Sequence, residues 1–432
     1  MTCEIAVANR LGIALAADSA VTFTKGGPNG TTTSYSSGAN KILQPVRTEP
    51  IGLMVYNNST FGNLPWELLV KQFRIDFDAK FEPLVSGYMS RLVEYLESAE
   101  NLFPRGVRSF QTNGLYGVAL IRLIATLKQR YPIATDEAAD LAARTAACAE
   151  FIAATEHELD QETIAAGLLD DDFVSALANE ALDLVTEAEA AVAQSAPDLS
   201  NVLPVPDLLR LAVKVTYKRP SEVFVNFPSS GIVIAGYGRD EVLPAFVERE
   251  FFGFIGTRVY SIERKSKAVP RNGVGAVIEA FARRAMVETF TQGISPEAWG
   301  QAEREYRSRS RQLIERSIGE SGGTPLASDR VDTMVDESTD GFMSQWARAS
   351  IDAHWHPLLE VVAGLAMDQL AELGENLVML ESLKERVTHR TQSVGGPIDV
   401  AVITKAEGLV WIKRKHFFPR ELNHRYFGRL SD

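Results

Sequence analysis

Short runs rich in β-forming residues open the chain. Residues 4–9 and 12–18 are two such runs, and Asn9-Arg10-Leu11-Gly12 between them carries a turn signal. Gly26-Gly27-Pro28-Asn29-Gly30 predicts a loop, and residues 41–43 and 51–56 predict further strands. Pro65 then stands near the start of a helix whose Leu68, Leu69, Gln72 and Phe73 share one face. From about 78 to 220 the pattern is helical: 84–96 and 115–127 repeat apolar residues at helical spacing. Residues 134–196 are rich in Ala, Glu, Leu and Asp, with Gly167 as the one internal glycine. Strand character returns in the runs 222–226, 231–236, 243–250 and 257–263. Helices are predicted over 274–290, 296–318 and about 338–388, the last broken near 354–357 and Gly374. Two strands, 398–404 and 408–413, close the pattern. The order is β-rich, helical, β-rich, helical, β-rich. Strands at both ends around internal helices predict an α+β fold of sheets covered by helices.

Composition refines this picture. The chain has 432 residues, enough for two or three domains or for one with a large insertion. A 45% hydrophobic and 23% charged content is that of a globular chain. No run of 18 apolar residues predicts a membrane span, and the first residues lack the pattern of a secretory signal. Cys3 and Cys148 are too few for a disulfide framework or a cysteine zinc site, so the expected setting is a reducing cytoplasm. The net charge is −12, which argues against a general nucleic-acid or anionic-membrane binder. Residues 134–198 hold 16 Asp and Glu against Arg144 alone. Their −15, set against −12 for the chain, leaves +3 for everything else. The acidic excess therefore belongs to the helical stretch, and residues 79–220 read as an inserted acidic helical domain. The core would be 1–78 with 221–415, followed by a basic, aromatic tail at 416–432. That tail predicts docking against an acidic neighbour.

The candidate chemistry begins at Thr2. A small second residue lets the initiator Met be removed, and a terminal Thr unites a hydroxyl nucleophile with its own α-amino base. The free α-amino pKa of about 7.7–8 suits a general base. Leu15-Ala16-Ala17-Asp18-Ser19 follows 16 residues later, and Asn40-Lys41-Ile42-Leu43 follows a Gly- and Ser-rich loop. Ile234-Ala235-Gly236-Tyr237-Gly238 and Gly395-Gly396-Pro397-Ile398-Asp399-Val400 stand further on. Together these motifs resemble the proteasome β-subunit family of threonine-type N-terminal nucleophile (Ntn) hydrolases, including its bacterial ancestral-type members. The resemblance covers about 2–78 and 222–414 and skips the helical block.

The resemblance implies a four-layer α-β-β-α sandwich and an acyl transfer to Thr2, with Asp18 and Lys41 completing the catalytic set. It implies no metal or organic cofactor, a peptide or unfolded-protein substrate, and self-association into a ring or other homo-oligomer. An unfoldase or adaptor partner is compatible with it. In the position where the family places an oxyanion glycine stands Asn57, with Asn58 beside it. Arg390 matches the family, whereas Thr391 and Val394 replace an Asp and a Ser that support the terminal amine; Ser393 is the nearest substitute. Asn272, in Arg271-Asn272-Gly273, is the nearest match to a serine expected before the third helix. These departures keep two other readings open: a non-catalytic, partner-binding ring protein, and a small-molecule amidase on the same fold. His354-Trp355-His356 has no third His or Cys nearby, and a helix start is the simpler reading. Cys3 reads as a small buried strand residue.

Overall fold

The computed structural model describes residues 3–27, 30–36, 38–76, 81–225, 227–322, 324, 326–388, 395–416 and 418–424. Its strands are β1 (Cys3–Asn9), β2 (Ile13–Ala17), β3 (Val21–Gly27), β4 (Gly30–Ser36), β5 (Ile42–Leu43), β6 (Ile51–Asn57), β7 (Thr60–Phe61) and β8 (Leu64–Pro65). After the helical block come β9 (Ser230–Gly236), β10 (Ala245–Ile255), β11 (Arg258–Ala268) and β12 (Ala276–Ala282), then β13 (Asp399–Thr404) and β14 (Gly408–Lys413). The first helices are α1 (Trp66–Asp76), α2 (Val85–Ser98), α3 (Arg105–Arg130), α4 (Leu141–Asp160), α5 (Asp170–Ser175), α6 (Ala181–Asp183), α7 (Val185–Ser195), α8 (Val205–Lys218) and α9 (Pro220–Val223). The later ones are α10 (Ala285–Gln292), α11 (Pro296–Glu320), α12 (Ser328–Ser350), α13 (His356–Gly364) and α14 (Met367–Thr388).

The fold is mixed α and β, with antiparallel sheets. One sheet runs β12-β1-β2-β13-β14 and the other β11-β10-β9-β6-β5. Strand β1 explains why the first run is apolar throughout. Side chains alternate across a sheet, and here both faces are covered. Cys3, Ile5 and Val7 pack with Leu370, Leu377 and Val378 of α14. Ala6 and Ala8 pack with Met54, Val233 and Ala235 of the other sheet. The far face of that second sheet, through Leu53, Val55 and Ile234, meets α1 and α2. Gly374 lies inside α14 rather than at a break, and a Cβ there would stand 3.3 Å from the Cβ of Ala16. The small residue brings the helix close to the sheet, and the chain breaks instead at Leu365–Ala366, between α13 and α14.

Several expectations are corrected. The stretch 274–290 begins as strand β12, paired with all of β1, and only then becomes α10. A short apolar run does not distinguish strand from helix by periodicity, and the vacant edge of β1 decides it here. Of the expected strand 222–226, the described residues 222–225 are not a strand; Pro220–Val223 forms a helical turn. The 134–196 stretch breaks after α4, where Gly167 adopts φ +89°. Of the expected loop at 26–30, Gly26, Gly27 and Gly30 pair within β3–β4, while 28 and 29 lie outside the described residues. Helix α2 lies within the predicted insertion, yet its Tyr88, Met89 and Leu92 pack under the second sheet. The helices with a core of their own start at α3, where Tyr116, Leu120, Phe151, Leu208 and Tyr217 share one cluster.

Candidate active site

Asp18 stands at the end of β2 and Lys41 just before β5, so the site forms where the two sheets meet. Asp18 is 1% exposed and Lys41 4%. Lys41 Nζ lies 2.5 Å from Asp18 Oδ1. The same Oδ1 accepts the Cys3 N–H at 3.0 Å, while Oδ2 accepts Ala20 N–H at 3.2 Å and Gly395 N–H at 2.9 Å. A carboxylate offers about four acceptor sites, and all four are used. The bond to Ala20 is the local turn that aspartate favours at a strand end. The others tie three distant segments to one side chain: the start of β1, the loop before β5, and the Gly395-Gly396 loop. Ser19 reinforces this junction. Its N–H reaches Gly395 O at 3.2 Å, its carbonyl accepts Ala39 N–H at 3.2 Å, and its hydroxyl donates to Pro397 O.

Glu4 completes the cluster and was not among the residues the sequence pointed to. It is fully buried, with Oε1 3.2 Å from Lys41 Nζ. Its sequence signal was present but slight: one charge in the otherwise apolar run Cys3-Glu4-Ile5-Ala6-Val7. Cys3 faces the other way, into the α14 core, where burial followed by the nearby Glu4, Asp18 and Glu381 charges pushes its thiol well above the usual value. With no exposed surface, Cys3 serves as a packing residue of β1.

A cavity of about 410 Å³ opens beside Lys41, walled by Val55, Tyr56, Asn57, Thr60 and Glu67. Tyr56 donates its hydroxyl to Glu248, and burial together with that bond pushes the phenol upward. The Tyr56 ring also explains Gly231 opposite it: any Cβ there would fall 1.9 Å from the ring. Asn57 ends β6 with φ +60°, the left-handed region. Asn58 turns away: its Oδ1 accepts Thr60 N–H at 3.3 Å and the Thr60 hydroxyl at 3.1 Å.

The structure does not bring Asn272 to this site. Its loop precedes β12 at the Ala276 end, which pairs with Asn9, whereas the Asp18 cluster sits at the Ala282 end, which pairs with Cys3. The two ends are separated by the strand, about 20 Å. The loop leading into α10 is Arg283–Arg284 instead, and Arg283 pairs with the buried Glu385. Thr2, Arg390, Thr391 and Ser393, with Val394, lie outside the described residues. At the end of β14 and just after it, basic residues pair within their own chain: Lys413 with Glu375 at 2.5 Å, Lys415 with the buried Asp399, and Arg414 over the Trp411 ring. Of the 416–432 tail itself, residues 417 and 425–432 lie outside the described residues. Among the described residues, no helix is long and apolar enough to cross a membrane. No protein-family model matches the chain, and no curated protein matches it.

Proposed function

We propose that the chain is a threonine-type N-terminal nucleophile hydrolase of peptide or amide bonds, built on a proteasome-like α-β-β-α sandwich. One observation carries this reading: the buried Lys41–Asp18 pair receives the Cys3 amide, the peptide N–H directly following Thr2, on the same oxygen that holds the ammonium. The start of β1 is thus anchored beside a buried cation. The helix–sheet–sheet–helix packing supports the fold assignment.

In this mechanism the Thr2 hydroxyl oxygen attacks the substrate carbonyl carbon. The Thr2 α-amine takes the hydroxyl proton and returns it to the leaving amine, which departs as the C–N bond breaks. An ester to Thr2 remains. Water, deprotonated by the same amine, then cleaves it and restores the hydroxyl. Lys41 supplies the positive charge that favours the developing alkoxide, and Asp18 fixes the position of that charge. Asn57 offers a backbone donor for the oxyanion. Asparagine is the commonest non-glycine residue in the left-handed region, so Asn57 preserves the conformation a glycine would supply. The resemblance further implies a homo-oligomer that encloses the sites. The 79–220 segment is proposed as an inserted domain, its self-packed part beginning at α3.

Intact-mass measurement after treatment with a β-lactone, which acylates hydroxyl nucleophiles, tests the reading. The expected product lacks Met1 and carries one acyl adduct on Thr2, absent in Thr2→Ala. A chain that keeps Met1 throughout, or labels equally well in Thr2→Ala, would overturn it and favour the non-catalytic reading.

A further inference from the structure

The cavity beside Lys41 has two charged residues in its wall, Lys41 and Glu67. Lys41 is already matched: Asp18 lies 2.5 Å and Glu4 3.2 Å from its ammonium. Two carboxylates against one ammonium leave this end of the cavity with an excess of negative charge. Glu67 stands in the first turn of α1, the helix end that favours a carboxylate. Its Oε1 accepts Asn40 Nδ2 at 3.0 Å and Lys71 Nζ at 2.6 Å. Its Oε2 accepts nothing among the described residues and keeps accessible surface. Asn40, itself in the wall, directs Nδ2 at Glu67 and leaves its Oδ1 in the same condition. Two open acceptors, one of them charged, are therefore joined in one wall.

Lys71 does not satisfy this carboxylate. Its side chain is 55% exposed and stands outside the cavity wall, and an exposed pair of this kind is weak. The other cation acting on Glu67, Lys415, is bound to the buried Asp399. Burial would raise the Glu67 carboxyl, but the bonds from Lys71 and Asn40 outweigh burial and hold it below its ordinary value. Glu67 is thus ionised near neutrality.

We infer that this cavity receives a long cationic side chain, lysine or arginine, from the residue that carries the attacked carbonyl, and that Glu67 determines the preference. Both side chains are donors without acceptors, which is what Glu67 Oε2 and Asn40 Oδ1 lack. Val55, Tyr56 and Pro65 line the same space and suit the methylene stem. An acidic side chain would meet Glu67, and an apolar one would leave both acceptors without a donor. Lys41 and Asn57, the groups assigned to the attacked carbonyl, line this cavity too, which places the entering side chain next to that carbonyl. That placement rests on the hydrolase reading; binding itself does not require hydrolysis.

The probes are dansyl-Ala-Ala-X amides with X arginine, norleucine or glutamate, titrated by fluorescence anisotropy into full-length wild type and Thr2→Ala. The matching coumarin amides report cleavage. The arginine peptide should bind about tenfold or more tightly than the norleucine peptide, with the glutamate peptide weakest. Glu67→Gln should bring the arginine-to-norleucine ratio close to one, and Glu67→Lys should favour glutamate. Lys71→Met, at an exposed position, removes a competing donor and should raise the arginine advantage about twofold or more; it carries the test if the Glu67 variants fail to fold. Equal binding of arginine and norleucine peptides, an arginine advantage that survives Glu67→Gln, or one that does not rise in Lys71→Met overturns the inference. Cleavage that depends on Thr2 but shows no preference for arginine refutes the cationic pocket alone. Arginine-selective binding that Glu67→Gln abolishes, with cleavage absent or surviving in Thr2→Ala, refutes the hydrolase reading alone.

Discussion

Two lysines in this molecule each hold one glutamate and one aspartate. Lys41 lies 3.2 Å from Glu4 and 2.5 Å from Asp18; Lys214 lies 2.7 Å from Glu156 and 2.8 Å from Asp160. The charges match, but the surroundings do not. The carboxylates of Glu4 and Asp18 are wholly buried, whereas those of Glu156 and Asp160 are about half exposed. Water screens the second cluster, so it does little more than join α4 to α8. Burial between the sheets leaves the first cluster far less screened. There, desolvation is costly for each charge and is offset only because Asp18 is fully hydrogen-bonded. A buried cation supported in this way is suited to electrostatic chemistry, and one on a helix face is not.

This contrast can be broken by substitution. The largest expected effect is at the nucleophile: Thr2→Ala should lower hydrolysis by at least ~10³-fold while leaving assembly and melting temperature intact. Full residual activity would remove the nucleophile assignment. Asp18→Asn and Lys41→Met come next. Lys41→Met leaves two buried carboxylates without a cation, and Asp18→Asn turns one of two fully used acceptor oxygens into a donor facing donors, so each should cost about 3–5 kcal/mol of stability and reduce turnover by orders of magnitude. Urea unfolding and amidase assays would check both; a loss below 1 kcal/mol would show that the pair is not the buried unit described above. Glu4→Gln should be milder. It removes the surplus negative charge and keeps Asp18 on Lys41, so stability should stay within about 1 kcal/mol, and turnover should change by less than turnover in Asp18→Asn.

The smallest effect is expected at Lys214→Met, with unchanged hydrolysis and a melting midpoint lowered by no more than about 2 °C. Its pH dependence is also distinctive. Lys214 holds Asp160 below its ordinary value of 3.8 mainly through their hydrogen bond. That contribution is present above the ordinary value and is lost as pH falls below it through the lowered one. For Lys214 itself, burial would depress the ammonium, but the hydrogen bonds to Asp160 and Glu156 outweigh burial and raise it. The acid loss should therefore be visible in wild type, absent in Lys214→Met, and suppressed by salt. An acid transition indifferent to the substitution would place the sensitivity elsewhere.

The acidic excess changes meaning in the same light. Part of the −15 of residues 134–198 is answered by basic residues just outside that stretch. Lys128 binds Asp198, Lys214 binds Glu156 and Asp160, and Arg219 binds Glu162. The sequence count marked the block as acidic, and the packing shows that part of this charge is internal glue.

Asp18 and Lys41 were legible in the sequence because they lie in short motifs of recognisable order, each punctuated by a strand end or a loop. The first strands were legible for the same reason: β1 and β2 are local, and a four-residue turn joins them. Three features could not be read this way. Strand β12 is a short apolar run whose type depends on a partner more than 260 positions earlier in the chain. Asn272 was placed by assuming helix where β12 stands, and a strand moves its loop to the far end of the sheet. Glu4 looked like one charge in a strand, and only the second sheet, by bringing Lys41 over it, makes it part of a site. Local sequence determines what a residue can do and which element it favours. Only the tertiary structure decides which side chains lose their water together, because that depends on surfaces contributed by segments far apart in the chain.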